Sequence, residues 1–147
     1  MTRSGTPRLA AAWTLLALRV LTAAGLAIDA YVHADLAGAY DPVRHSISQG
    51  TLFRIEAGAA AFAALLIVVT GHRAAWAVAF IVAASGFGAI MLYRYVDVGT
   101  LGPLPNMYEP IWFPEKSYSA IAEGVATVTA LAGFVMATAV AHRPRHA

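Results

Sequence analysis

The sequence contains no cysteine, which excludes structural disulfides, thiolate metal sites and cysteine nucleophiles. Charge is scarce as well: 12% of the 147 residues are Asp, Glu, Lys or Arg, against 59% hydrophobic. At a mean hydropathy of +0.64, too little polar surface remains to coat a water-soluble globule of this size. The sequence patterns of many enzymes are missing: there is no phosphate-binding loop, dinucleotide glycine fingerprint, serine elbow or zinc-protease histidine pair. No internal repeat is evident. The net charge of +2 comes from arginines divided among short flanks, with no basic groove or stripe, so nucleic acid is not an expected partner. Anionic lipid headgroups explain those arginines better.

What the chain does have is four apolar runs, at about residues 11–32, 51–70, 74–93 and 117–141. A bilayer core of ~30 Å needs about 20 apolar residues per helix, and each run supplies that length. The expectation is therefore an all-α, four-transmembrane-helix bundle, a single integral membrane domain over residues 1–147. Its outer loops are expected at 34–50 and 94–116. The first run is too long for a cleaved signal sequence and is interrupted by Arg19.

Basic residues near helix ends orient such a chain, because cytoplasmic loops retain Lys and Arg. Arg3, Arg8, Arg73, Arg143 and Arg145 fall on one side, with no acid among them. Asp35, Asp41, Asp97, Glu109 and Glu115 fall on the other, beside Arg44, Arg94 and Lys116. The N and C termini are thus expected to be cytoplasmic, in a multi-pass inner-membrane protein whose first partner is the lipid bilayer. Small residues and short turns also permit a membrane-protein partner or a homo-oligomer.

The outer segment RYVDVGTLGPLPNMYEPIWFPEK, residues 94–116, carries four prolines and cannot form a continuous helix. Its aromatics argue against simple disorder. Tyr95, Tyr108, Trp112 and Phe113 read either as an aromatic belt at the headgroups or as a lid over the outer mouth of the bundle.

Three acids lie within the apolar runs. Asp29 and His33 arrive at the outer end of helix 1, while Glu56 and Glu123 lie about 7–9 Å from the outer starts of helices 2 and 4. All three acids are expected to share one outer layer. On helix 1, Arg19, Thr22, Leu26, Asp29 and His33 fall within a stripe ~80° wide. The Glu56 face continues through Ala59, Ala60 and Ala63, and the Glu123 face through Ser119, Ala126, Thr127, Ala130, Gly133 and Thr138. Small residues let helices approach in lipid, so each acid should point into the bundle. Ser85, Gly88 and Ala89 suggest a close-packing side on helix 3, and the GFG at 86–88 reads as packing. Candidate partners for the acids are Arg94 and His33. Arg54 points away from Glu56, free to snorkel to the surface or reach another helix, and Arg19 lies too deep to reach Asp29, leaving it carbonyls to bond or an inward path to snorkel.

Three readings of this layer follow. Asp29, His33, Glu56, Glu123 and Arg94 could form a polar network that fixes helix register in an accessory or scaffold subunit, with no enzymatic role. The same residues could form an outward-facing small-molecule, quinone or proton-binding site under the aromatic loop. Asp29, His33, Glu56 and Glu123 could instead hold a metal ion, since oxygen and imidazole ligands suit iron, manganese or zinc. Known carboxylate bundles use two Glu-x-x-His pairs, whereas this chain has one Asp-x-x-x-His. Haem ligation is weaker still, because His45 is in a loop and His72, His142 and His146 are on the opposite side. The sequence identifies no cofactor.

The stretches IDAYVHADLA, GTLFRIEAG, LYRYVDVGTLGP and MYEPIWFPEKS resemble those of actinobacterial integral membrane proteins, and the four-helix layout resembles the small DoxX-like membrane proteins. The DoxX-like resemblance implies redox or quinone chemistry and carries over no catalytic residue. Reporter fusions to each end of the chain test the threading: both are expected to report the cytoplasm, and an external C-terminus would contradict it.

Overall fold

In a computed structural model, which describes residues 6–141, the chain forms α1 (Thr6–Leu36), α2 (Gln49–Thr70), α3 (Arg73–Tyr95) and α4 (Pro114–Ala141). No strand occurs among the described residues. All four helices are long and apolar enough to cross a membrane. Arg3, Arg143 and Arg145 of the threading argument, with His142 and His146, lie outside the described residues.

The helices extend beyond the apolar runs because local chemistry at their ends sets the boundaries. Ser48 caps α2 by accepting from the Thr51 amide at 3.0 Å. Pro114 opens α4, a position where its missing N–H costs nothing. Between α2 and α3 the chain reverses within Gly71 and His72. Gly71 takes the left-handed conformation (φ 57°), which suits a residue without Cβ, and the His72 ring accepts from the Ala74 amide.

Helix α1 packs against α2 and α4, and α3 packs against α4 and α2. The shared interior is built largely of alanine: Ala60 and Ala63 on α2, Ala75, Ala79 and Ala83 on α3, and Ala126 and Ala130 on α4, with Leu26, Ile67 and Trp76. Small side chains permit close backbone approach, the main source of helix attraction where lipid is as apolar as leucine. At Gly25 a Cβ would lie 2.6 Å from the Ala122 carbonyl oxygen, so α1 and α4 touch through backbone there. Gly133 similarly makes room for the Trp76 ring. The close-packed face of α3 is Ala75, Ala79, Ala83 and Gly86. Ser85, Gly88 and Ala89, expected on that face, are exposed because they lie on another side of the helix. Phe62, Ile81, Val128 and other large apolar side chains cover the outside.

Arg19 donates from Nε to the Ile67 carbonyl at 2.6 Å and from Nη2 to that of Val68. A cation at a helix C-terminus meets unpaired carbonyls and the negative end of the macrodipole. Its level on α1 therefore matches the end of α2.

The connections 37–48 and 96–113 close the other end of the bundle together. The Ile47 amide donates to the Pro103 carbonyl at 3.1 Å, and the Glu109 amide to that of Tyr93 at 3.0 Å. Arg54, rather than serving Glu56, forms a two-pronged pair with Asp41 at 2.8 and 2.7 Å. That guanidinium holds the Asp41 carboxyl below its ordinary range. A depressed folded value means that the stabilisation is complete above the unfolded pKa of ~3.9 and is lost as pH falls through the folded value. The pair is exposed, so the effect is modest and screened by salt. Asp41→Asn should flatten the decline in melting temperature below about pH 4. Melting curves of both proteins across that range provide the check, and parallel declines would contradict it.

Candidate functional site

Three helices bring carboxyls to one level. Asp29 lies seven residues before the end of α1, Glu56 seven residues past the start of α2 and Glu123 nine past the start of α4. At 1.5 Å per residue the layer is thus about 10–14 Å from the helix ends. This exceeds the depth read from the sequence because α2 and α4 begin before their apolar runs.

Asp29 is the centre of the group. Its Oδ1 lies 2.7 Å from His33 Nδ1 and accepts from Ser119 Oγ at 2.8 Å. Ser119 has a longer contact, 3.5 Å, with Glu123 Oε1. An oxygen of the Asp29 carboxyl lies within 4.8 Å of one of Glu123. Both residues are 0% exposed. Gly86 of α3 admits the remaining acid: a Cβ there would lie 2.5 Å from Glu123 Oε1 and 3.2 Å from Glu56 Oε1. Below this layer, Thr22 and Thr129 share a buried hydrogen bond of 2.8 Å between α1 and α4.

Three buried oxygens, Asp29 Oδ2, Glu56 Oε1 and Glu123 Oε2, have no hydrogen-bond partner. Leaving a buried acceptor unsatisfied costs about 1–3 kcal/mol, more if it is charged. No Lys or Arg offsets this cost, since no ion pair joins one to these acids among the described residues. Arg19 and Arg54 are engaged elsewhere. Arg94, expected as a partner, sits over the rings of Tyr95 and Trp112 at 5.0 and 5.6 Å, held at the helix end by cation–π contact. Two facing carboxyls without a cation repel unless a proton or metal ion lies between them.

A cavity of about 380 Å³ adjoins this layer. His33, Glu56, Gly86 and Ser119 line its polar part, and Leu52, Phe53, Ala89, Ile90 and Phe113 are among its apolar walls. His33 and Ser119 therefore border both the cavity and the Asp29–Glu123 pair. Phe53 fixes the His33 ring edge-on, with centroids 5.0 Å apart, and packs against Tyr40. The Tyr40 hydroxyl donates to Glu109 Oε2 at 2.6 Å, and Lys116 Nζ donates to the Glu109 carbonyl at 2.5 Å. Burial and the neighbouring Glu109 carboxyl push the Tyr40 phenol above its ordinary range, so it remains a donor. Of the aromatic residues considered as a lid, Phe113 lines the cavity, whereas Tyr95, Tyr108 and Trp112 do not and are exposed.

Phe53 and Tyr40 complete the site without a sign in the sequence, and Gly86, read there only as packing within the GFG, borders the acids. Gly86 had one usable signal, a glycine interrupting the Ala75–Ala79–Ala83 stripe at a position where it continues the same face. Tyr40 and Phe53 gave none, because their roles depend on how the two connections fold together. Compared with known proteins, the chain matches no family model, no curated protein and no solved structure.

Two glycines on α3 give a matched test. Gly88 has open space around its missing side chain, so Gly88→Ala should stabilise the helix by about 0.5–1 kcal/mol. Gly86→Ala should fall at least about 1 kcal/mol below it, because the Glu123 carboxyl must leave its place. Denaturation in detergent measures the difference, and equal stabilities would show that Gly86 does not shape the acid layer.

Proposed function

We propose that this multi-pass membrane protein binds a small molecule with an apolar body and a hydrogen-bond-donating head in the cavity above the acid layer. The observation that carries the reading is Glu56: its buried Oε1 lacks a partner, and the residue lines a cavity with largely apolar walls. Such a pocket favours burial of an apolar ligand, while a few polar groups set its orientation. A ligand hydroxyl or amine would supply the missing donor to Glu56. Ser119 and His33 provide further polar contacts at the same end. The volume is within the ordinary range of small-molecule sites, about 300–1,000 Å³.

The distribution of arginines supports placing this cavity on the face opposite the cytoplasm, with both termini cytoplasmic and the protein in an inner membrane. The polar layer also fixes the register of α1, α2 and α4, as an accessory or scaffold subunit would require. The cavity supports a binding role in addition to that of a scaffold.

Ala89→Trp fills the cavity from an exposed wall position, and Glu56→Gln removes the carboxyl without changing its shape. Native mass spectrometry of protein released with its membrane lipids should show a bound small molecule on the wild type. Each variant should retain at least about tenfold less, a loss of ~1.4 kcal/mol. Identical spectra for all three proteins, with the fold intact, would leave the scaffold role in its place.

A further inference from the structure

The Asp29–Glu123 pair poses a separate problem from that of the cavity. Both side chains are wholly buried, and each retains an oxygen without a partner. Ser119 nevertheless touches both carboxyls, at 2.8 Å from Asp29 Oδ1 and 3.5 Å from Glu123 Oε1. One ligand atom from each of Asp29, His33 and Glu123 can be chosen so that all lie within 4.8 Å of one another. Donors ~2.1 Å from a tetrahedral ion lie about 3.4 Å apart, so a set within 4.8 Å closes on an ion with side-chain rotations that move donors by about an ångström.

We infer that Asp29, His33 and Glu123 hold one divalent first-row transition ion between α1 and α4. Two carboxyl oxygens and an imidazole nitrogen suit Zn2+, Mn2+ or Fe2+. Calcium and magnesium favour all-oxygen sets, and no cysteine is present to favour softer ions. The ion would remove the repulsion between the carboxyls and engage both unpaired oxygens. Ser119, already donating to Asp29 Oδ1, positions that carboxyl, as supporting hydrogen bonds do around bound metals. Glu56 shares with Glu123 the gap left by the missing Gly86 side chain, so the third acid adds negative charge beside the ion without being one of its ligands.

The charge balance agrees. Asp29, Glu56 and Glu123 face a single histidine and no Lys or Arg ion pair among the described residues. Protons alone could neutralise the group, and this is the competing outcome of the experiment. The metal site shares His33 and Ser119 with the polar end of the cavity, but Asp29 and Glu123 lie outside the cavity lining, so the two readings can be tested apart. Ala89→Trp should abolish retention of the small molecule and leave metal binding unchanged, so the failure of either reading can be recognised separately.

The test uses the full chain in phosphatidylcholine nanodiscs, stripped with chelator and titrated with Zn2+ or Mn2+. About one ion per chain should bind. Asp29→Asn and Glu123→Gln should each weaken binding by at least about tenfold, as losses around bound metals commonly do. His142→Ala and His146→Ala should leave it unchanged. Because loss of a core carboxyl can unfold the bundle, a second readout leaves both carboxyls in place. Pulsed electron paramagnetic resonance of bound Mn2+ should show coupling to an imidazole nitrogen, and His33→Gln should remove it. No stoichiometric ion would assign the pair to protons. An ion without nitrogen coupling, or one insensitive to the core substitutions, would be adventitious. Each of these results overturns the inference.

Discussion

The meeting of Asp29 with Ser119 and Glu123 is the constraint on which the rest of this bundle depends. Carboxyls in an apolar span are tolerated only when donors, protons, ions or water reach them. Here the reaching group comes from another helix, so α1 and α4 cannot slide or rotate independently. Gly25 brings the two backbones together, the Thr22–Thr129 bond repeats the link deeper in the bundle, and Gly86 leaves α3 close without closing over the acids. The alanine-rich interior follows from this close approach. Larger residues would satisfy the hydropathy of the helices and force the carboxyls apart.

Above that layer the design changes from tight to open. Phe53 connects the acids to the 37–48 and 96–113 connections by packing on His33 at one edge and Tyr40 at another. Tyr40 and Lys116 then meet at Glu109, on the opposite connection. A ligand in the cavity would touch a continuous series of side chains from the acid layer to the loops. Its polar end would meet groups positioned by helices, whereas its outer part would meet groups carried by the 37–48 and 96–113 connections. Orientation and access are therefore assigned to different parts of the fold.

The four helices were legible because uninterrupted apolar length carries a strong physical signal. The side of α1 that bears Thr22, Leu26, Asp29 and His33 was also legible, since a carboxyl has few tolerable directions in lipid. For Arg19, elimination of Asp29 by depth left backbone carbonyls, and Ile67 and Val68 supply them. Arg54 was harder. Its distance around α2 from Glu56 was readable, but Asp41 lies thirteen residues earlier in a connection whose path no periodicity encodes. Arg94 shows the same limit: a cation beside aromatic residues can serve an acid or a ring, and the choice depends on where residues 96–113 travel. The packed side of α3 was obscured by several small residues on different faces, among which composition alone does not select Gly86.

The helices also differ in length, and Arg19 shows how they are aligned. Because it bonds the last carbonyls of α2, the early turns of α1 continue past the α2–α3 reversal. Residues of α4 beyond Gly133 do likewise, since Gly133 meets Trp76 near the start of α3. At 1.5 Å per residue, α2 and α3 are about 33–35 Å long, whereas α1 is about 46 Å. The helices are thus unequal: those of about 33–35 Å are close to the ~30 Å core of an ordinary bilayer, whereas α1 extends well past that length. Tilt of the bundle can absorb such a difference, and Arg19, by bonding the last carbonyls of α2, sets the point along α1 at which the shorter helices stop.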